Sequence, residues 1–334
     1  MAHRRRSKLK KFAFALIPAI LLWGMLELGL RLAGYSGPDA DLLEFTNNHR
    51  RSPGYVIHPQ RFWAYRPNNA ELGINSMGMR GPDLQLEKRP GVYRIICLGD
   101  SVTFGFKIPE ADSYPRQLER FLNERLPASD PQIDAVEVIN AGVVGYSSLQ
   151  GMRYLEGELS ELQPDMVLVN FGSNDQICSM TFPDAEQPIV NPIIQKVWLG
   201  LTYLRSVMLL RQGISGHIGA HRTSLYQGAD CEGNPPRVGP GEYEHNLRRI
   251  ADICSRAGAR VWFLPVLERT WDEPRCIRTN PYYPVPEDLP MLYWLEPFNG
   301  ICGDAGDEFF IDGTHFTPAG AGKAALWISG AAGF

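Results

Sequence analysis

Short apolar runs alternate with amphipathic stretches over most of the chain. Five runs have the length of buried β-strands: residues 93–98, 135–140, 166–171, 260–266 and 309–311. The stretches between them repeat apolar residues at helical spacing: residues 114–126, 148–162, 242–257 and 318–328. Apolar strands separated by amphipathic helices are typical of a parallel sheet covered on both faces. The pattern therefore predicts one α/β layered domain over residues 92–330.

Two regions depart from this alternation. Residues 176–240 form an insertion that contains the apolar segment "VWLGLTYLRSVMLLRQGI", which we expect to be helical. Residues 35–91 are irregular and rich in Pro, Asn and Arg, and they include "INSMGMRGPDL". We interpret this second region as a linker followed by a small N-terminal lead-in to the domain.

The N-terminus combines a basic cluster with a long apolar run. Six Lys and Arg residues lie in residues 1–11, and residues 12–34 are almost wholly apolar, although Glu27 and Arg31 lie among them at i,i+4 spacing. The apolar run is long enough to span a bilayer, and the positive-inside rule places the basic end in the cytoplasm. A cleaved signal peptide is the alternative, but "LRLAGYSG" matches a cleavage site poorly. We therefore expect an uncleaved transmembrane signal anchor and an extracytoplasmic domain, periplasmic or extracellular.

The charge and the cysteines indicate which ligands and which disulfides the chain can have. With 33 basic and 37 acidic residues, the formal net charge of −4 gives no indication of nucleic-acid binding. Two cysteines, Cys97 and Cys254, lie in apolar patterns and are expected to be buried. The other four are the candidates for disulfides in an exported chain: Cys178, Cys231, Cys276 and Cys302. Neither the cysteines nor the seven scattered histidines show the spacing of a metal site.

Polar residues follow the ends of the predicted strands. Ser101 lies in "GDSVTFG" after the first, and "NAGVVGYSS" with Gly142 follows the second. Asn174 lies in "FGSND" after the third, and Asp312 and His315 lie in "DGTH" after the last. The carboxyl ends of parallel strands meet at one edge of a sheet, where ligands bind. A serine nucleophile needs a base, an orienting carboxylate and oxyanion donors, and these residues supply all three.

In these stretches the chain resembles the SGNH, or GDSL-type, hydrolase superfamily. The resemblance covers about residues 92–330 and all four usual blocks: residues 99–101, Gly142, residues 172–175 and residues 312–315. It implies a flavodoxin-like three-layer α/β/α sandwich, a Ser101 nucleophile and a His315 base. It also implies no metal or cofactor, and an oxyanion hole made by the N–H of Ser101, Gly142 and Asn174. Family members with a membrane anchor followed by "NSxGxRGP" are similar, and residues 75–82 match that stretch.

These features predict a membrane-anchored extracytoplasmic ester hydrolase that acts on a small-molecule or polysaccharide ester through an acyl-enzyme. Two alternatives remain open: acyl transfer to or from a cell-envelope polysaccharide, and a catalytically silent envelope-binding module. We expect Asp100 and Asp175 to shape their turns, with Asp312 as the carboxylate of the triad. The elbow G-x-S-x-G of α/β-hydrolases is absent around Ser101.

Overall fold

The computed structural model describes residues 17–33 except 19, 54–179, 183–187, 204–206, 209, 235–270 and 272–333. The chain divides into two compact units, one of residues 1–51 with 190–222 and one of residues 52–189 with 223–334. The predicted α/β domain lies in the second unit. Most of the insertion 176–240 lies outside the described residues.

A four-stranded parallel sheet forms the centre of the second unit. In the lead-in, β1 (Tyr55–His58) and β2 (Phe62–Tyr65) pair as an antiparallel hairpin. The four parallel strands follow in the chain: β3 (Val92–Gly99), β4 (Ala135–Gly142), β5 (Met166–Asn170) and β6 (Arg260–Phe263). Their order across the sheet is β4-β3-β5-β6. A second antiparallel hairpin joins β7 (Leu267–Arg269) and β8 (Ile277–Thr279). The first four predicted strands are thus confirmed.

Helices cover both faces of the sheet. They are α1 (Tyr114–Ser129), α2 (Ser148–Gly157), α3 (Pro240–Arg256) and α4 (Pro318–Ala331). Successive side chains of a strand point to opposite faces, so Ile95 and Cys97 of β3 pack in one apolar cluster with α1 and α4. Ile96 and Leu98 pack in the other cluster with α2 and α3. The chain therefore has the predicted α/β/α layers around a parallel sheet.

The fifth predicted strand, residues 309–311, is wrong. Phe310 forms only an isolated antiparallel bridge with Phe316, and the N–H of Ile311 donates to the carbonyl of His315 at 2.8 Å. The backbone of this segment thus bonds to its own loop and not to β6. The place beside β6 is taken by Met291, which forms a parallel bridge with Phe263. The run is apolar because Phe310 at its centre is buried, and burial alone does not determine which groups the backbone amides and carbonyls bond to.

The outer edge of β4 is closed by side chains of α1. The N–H of Val136 donates to Asn123 Oδ1 at 2.9 Å, and Asn123 Nδ2 donates to the carbonyl of Val136 at 2.8 Å. Two residues on, the N–H of Val138 donates to Glu119 Oε2 at 2.8 Å. Both backbone groups of Val136 and the amide of Val138 are therefore satisfied without a further strand.

The described cysteines agree with the prediction, and Cys231, the remaining disulfide candidate, lies outside the described residues. Cys276 and Cys302 form a disulfide, and Cys178 is also disulfide-bonded. Cys97 and Cys254 are buried free thiols. The two classes therefore follow the apolar or polar character of their surroundings.

The first unit contains a helical stretch at residues 20–32. Among the described residues, no helix is both long and apolar enough to cross a membrane. The expected anchor, residues 12–34, lies partly outside the described residues.

Candidate active site

Ser101 lies at the tip of a sharp turn after β3. The one-turn helix Ser101–Phe104 begins immediately after Asp100, whose Oδ1 accepts a hydrogen bond from the N–H of Val102 at 2.9 Å. Gly99 permits the turn because a Cβ there would lie 2.1 Å from Thr103 Oγ1. The strand end and the cap together fix the position of the Ser101 hydroxyl at the carboxyl edge of the sheet.

The loop that replaces the fifth strand presents a histidine oriented by a carboxylate. Asp312 Oδ1 accepts hydrogen bonds from the N–H groups of Thr314 at 3.0 Å and His315 at 2.9 Å. His315 Nδ1 lies 2.9 Å from both carboxylate oxygens of Asp312. Burial opposes ionisation of Asp312, but the hydrogen bonds from His315 and Thr314 hold the pKa of its carboxyl well below its usual value. The carboxylate is therefore ionised at neutral pH.

The serine and the histidine are in hydrogen-bond contact although 214 residues separate them: His315 Nε2 lies 2.8 Å from Ser101 Oγ. With Nδ1 bonded to Asp312, the tautomer that carries its proton on Nδ1 leaves Nε2 free to accept the hydroxyl proton. The structure thus joins Ser101, His315 and Asp312 in one chain of hydrogen-bond contacts, with His315 in the middle.

Asn174 lies beside the turn that carries Ser101. Its Nδ2 donates to Asp100 Oδ2 at 2.9 Å and to the carbonyl of Tyr146 at 3.1 Å. Asp100 is buried, and burial raises the pKa of its carboxyl to about 6 against the opposing hydrogen bonds. Asp100 therefore caps the turn and holds the Asn174 amide, as expected of a turn residue.

The structure places the two glycines of "NAGVVGYSS" in different roles. The N–H of Gly142 donates to Asn140 Oδ1 at 3.0 Å, so in this conformation it is not the free oxyanion donor we expected. A Cβ at Gly142 would lie 2.2 Å from the backbone N of Phe104, so this position lets the Ser101 turn pack against β4. Gly145, at a φ of 81°, makes no hydrogen bond through its N–H within the described part of the chain.

The difference follows from the end of β4, which the sequence pattern placed at residue 140 and the structure places at Gly142. Gly142 is the last residue of β4 and still pairs with β3. Gly145 lies beyond the carboxyl end of the strand, in the region where parallel sheets bind ligands. Gly145 is also held in place, because its carbonyl accepts a hydrogen bond from Arg237 Nη1 at 2.8 Å. Its neighbour Tyr146 supplies the carbonyl that Asn174 contacts.

Asp175 braces the loop that carries Asn174, as expected. It is buried, and its Oδ1 accepts hydrogen bonds from the N–H of Ser148, at 3.0 Å, and from the Ser148 hydroxyl. Asn246 Nδ2 donates to Ser148 Oγ at 3.0 Å. Burial raises the pKa of the Asp175 carboxyl to about 7. The network links the loop after β5 to the start of α2 and to α3.

Arg80 supports the loop after Ser101, a role that the sequence analysis missed. The buried guanidinium donates to the carbonyls of Phe104, Gly105 (2.7 Å) and Ile108 (2.8 Å). It also lies over the Phe104 ring, with its central carbon 4.1 Å from the ring centroid. The signal was the lead-in stretch "NSMGMRGPD", in which Arg80 is the only basic residue.

The loop held by Arg80 reaches the histidine. The ring centroids of Phe106 and His315 are 5.0 Å apart, and Lys107 Nζ lies 3.9 Å from Asp312 Oδ2. Lys107 has a φ of 65°, a left-handed conformation that is costly for a residue with a Cβ. Among the described residues, no group of three or more His, Cys, Asp or Glu side chains is arranged to hold a metal ion.

Curated proteins of known name resemble part of the chain. The thioesterase 1/protease 1/lysophospholipase L1 of Escherichia coli is 29% identical over 103 residues, 31% of this chain and 44% of that protein. An arylesterase of Vibrio mimicus is 33% identical over 82 residues, 25% of this chain and 38% of that protein. The chain therefore spans less than half the length of the curated relatives it matches.

Solved structures match a larger share of the chain at low identity. A lipase/acylhydrolase from Enterococcus faecalis matches with 18% identity and a TM-score of 0.40, covering 71% of this chain and 96% of that one. A mutant of an acetyl-xylooligosaccharide esterase from Geobacillus matches with 14% identity and a TM-score of 0.43, covering 74% and 97%.

The family assignment rests on the sequence of the α/β domain as a whole. The model of the GDSL-like lipase/acylhydrolase family matches residues 97–323, more than half of the chain. The matched range begins within β3, just before Ser101, and ends after His315, so it includes Ser101, Asn174, Asp312 and His315. The chain belongs to the GDSL-like lipase/acylhydrolase family.

Proposed function

We propose that the chain is a membrane-anchored, extracytoplasmic serine hydrolase that cleaves esters through an acyl-enzyme. The observation that carries this proposal is the 2.8 Å contact between Ser101 Oγ and His315 Nε2, with His315 Nδ1 bonded to Asp312. In this proposal Ser101 is the nucleophile, His315 the general acid and base, and Asp312 the carboxylate that orients the imidazole.

The reaction has two stages, formation of the acyl-enzyme and its hydrolysis. Ser101 Oγ attacks the ester carbonyl while His315 Nε2 takes its proton, and Asp312 stabilises the imidazolium. The tetrahedral intermediate then collapses, and the leaving alcohol takes that proton as the acyl-enzyme forms. Water repeats the sequence: His315 accepts a water proton, the hydroxide adds to the acyl carbon, and Ser101 leaves with the proton restored. The free acid is released.

Three donors would stabilise the oxyanion: the N–H of Ser101, Asn174 Nδ2 and the N–H of Gly145. Gly145 replaces Gly142 in this role because the N–H of Gly142 is already bonded to Asn140. One hydrogen of Asn174 Nδ2 now points at the Tyr146 carbonyl at 3.1 Å, and it would turn to the oxyanion when substrate binds. A single donor of this kind contributes roughly 3 kcal/mol to transition-state stabilisation.

Two features support the extracytoplasmic location. The disulfide between Cys276 and Cys302 is typical of an oxidising compartment. The helical stretch at residues 20–32 exposes large apolar side chains to solvent, and the basic cluster of residues 1–11 precedes it. A basic cluster before an exposed apolar helix fits an anchor whose N-terminus lies in the cytoplasm.

Labelling with a fluorophosphonate tests the proposal directly. The full-length protein should be labelled covalently on Ser101, and Ser101→Ala should abolish both the labelling and the hydrolysis of short-chain esters. Ser76→Ala is the matched control, because this exposed serine bonds to Asp83, outside the site. Labelling that persists in Ser101→Ala would refute the assignment. With an acetylated sugar as substrate, release of free acid supports hydrolysis, whereas an acylated acceptor glycan would show transfer.

A further inference from the structure

Glu27 is an acidic residue within an apolar helical stretch, and it is almost fully buried, with 8% of its surface exposed. Its Oε1 accepts hydrogen bonds from the backbone N–H of Arg205 at 3.0 Å and from Arg31 Nε at 2.9 Å. Its Oε2 accepts from the N–H of Ser206 at 2.9 Å and from the Ser206 hydroxyl at 2.8 Å. Three of these four donors belong to the insertion, about 180 residues further along the chain.

This contact joins the insertion to the N-terminal helical stretch within one compact unit. Residues 190–222 group with residues 1–51, and not with the α/β domain. Arg205 adds contacts in the reverse direction, because its Nη1 lies 3.4 Å from the carbonyls of Leu30 and of Arg31. An ionised carboxylate costs about 3 kcal/mol at the centre of a membrane helix, and four hydrogen bonds offset that cost. The position of Glu27 is therefore explained by the insertion.

Among the described residues of this unit, the side chains exposed around the helical stretch are apolar on every side except that of Glu27 and Arg31. The large exposed side chains are Ile17, Ile20, Leu21, Leu22, Trp23, Met25, Leu26, Leu28 and Leu32, and in the insertion Leu209 is also exposed. At 100° per residue, the helical positions from 20 to 32 point in all directions around the axis. A protein partner would cover one stripe, whereas a helix that is apolar all round fits a bilayer.

We propose that the part of the insertion that contains Arg205, Ser206 and Leu209 binds the lipid bilayer together with the N-terminal helix, and that Glu27 is the polar contact that joins them. This proposal rests on the anchor in the proposed function and adds a second membrane-binding segment to it. The basic residues of the N-terminus fit the anionic head groups of such a membrane. Arg205, Ser206 and Leu209 are then part of a membrane-binding element.

Spin labels on the full-length protein in vesicles of phosphatidylethanolamine and phosphatidylglycerol test the proposal. Single cysteines at Leu209, Leu22 and Leu86 carry a nitroxide, and the parent protein without an added cysteine sets the background. Leu86 is the matched control, because it is an exposed leucine of the second unit. Collisions with lipid-soluble oxygen and with a water-soluble nickel chelate are measured. We expect oxygen to dominate at Leu209 and Leu22, and nickel at Leu86.

The outcomes separate this proposal from the one it rests on. If Leu209 reports water as Leu86 does while Leu22 reports lipid, the anchor stands and the second membrane segment is refuted. If Leu22 also reports water, the anchor itself is refuted.

Glu27→Gln then tests the polar contact. The amide keeps a single acceptor oxygen for the donors of Arg205 and Ser206, so nickel access at a Leu209 label should rise several-fold while that at Leu22 stays the same. Hydrolysis of a soluble ester should be unchanged. Unaltered nickel access at Leu209 in Glu27→Gln would refute the role of Glu27.

Discussion

Replacing Arg80 by methionine tests whether the loop after Ser101 must be held in place for catalysis. Within the described ranges Arg80 donates to the carbonyls of Phe104, Gly105 and Ile108 and not to a carboxylate. That loop carries Phe106, whose ring lies against the His315 imidazole. We therefore expect Arg80→Met to lower both the free energy of unfolding and the turnover number.

The contacts of Arg80 determine how large the losses in unfolding free energy and in turnover number should be. Removing the guanidinium leaves three carbonyls without a charged donor and removes a cation–π contact to Phe104. A hydrogen bond from a charged group contributes roughly 1.5 to 3 kcal/mol, so losing three of them should lower the free energy of unfolding by several kcal/mol. A displacement of about 1 Å at a catalytic group costs up to about a hundredfold in rate. We expect a tenfold to hundredfold lower kcat.

Arg94→Met is the matched control. Arg94 is fully buried near the start of β3, at the opposite end from Ser101, and it donates to the carbonyls of Leu162 and Gln85 and to Glu137. Urea unfolding and kcat for a soluble ester are measured for both variants well below their Tm. Both should lose stability, but only Arg80→Met should lose turnover. Equal kcat values in the two variants would refute a positioning role for Arg80.

Three further changes test the site and its support. Asn174→Ala should lower kcat by about 10²- to 10³-fold with KM nearly unchanged, and a change confined to KM would make it a binding residue. Burial raises the pKa of Asp175 to about 7, so the folded state holds a proton that the unfolded state releases above pH 4. The free energy of unfolding should therefore fall between pH 4 and 7, and urea titrations should show a shallower fall for Asp175→Asn; equal slopes would contradict this. The disulfide of Cys276 and Cys302 closes a separation of 26 residues, and its removal by a double serine substitution should cost about 3.5 kcal/mol in denaturant unfolding. Loss of less than about 1 kcal/mol would show that the unfolded chain is not appreciably constrained.

The alternation of apolar and amphipathic stretches was enough to predict the sheet and the position of the site. Strands buried on both faces read as continuous apolar runs, and their carboxyl ends gather at one edge. On this reasoning Ser101 and His315, 214 residues apart, were expected to meet; they do, although His315 follows a loop and not the strand predicted at residues 309–311. Their geometry is nevertheless a three-dimensional fact, since the 2.8 Å contact depends on how the Asp312 loop closes on itself.

Hydrogen-bond partners could not be predicted in the same way. The run at residues 309–311 is apolar because it is buried, but its amides bond within their own loop. Gly142 has the right residue type, yet the side chain of Asn140 takes its N–H and leaves Gly145 as the available donor. The i,i+4 spacing of Glu27 and Arg31 allows them to pair, and they do, but further donors to Glu27 lie in a distant insertion. In each case a group that the sequence analysis did not consider forms the hydrogen bond. The pattern of apolar and polar residues does not show which groups will compete for a given donor or acceptor.

The side chains that close the edge of β4 also govern how the protein behaves at high concentration. A bare edge strand offers its amides and carbonyls to any other chain, and this is a common route to aggregation. The Asn123 side chain forms both hydrogen bonds that a neighbouring strand would form with the backbone of Val136, and Glu119 accepts a hydrogen bond from the N–H of Val138. A second copy would have to displace these intramolecular bonds before it could add a strand. These bonds therefore hinder a second copy of the chain from pairing with β4, even at high protein concentration.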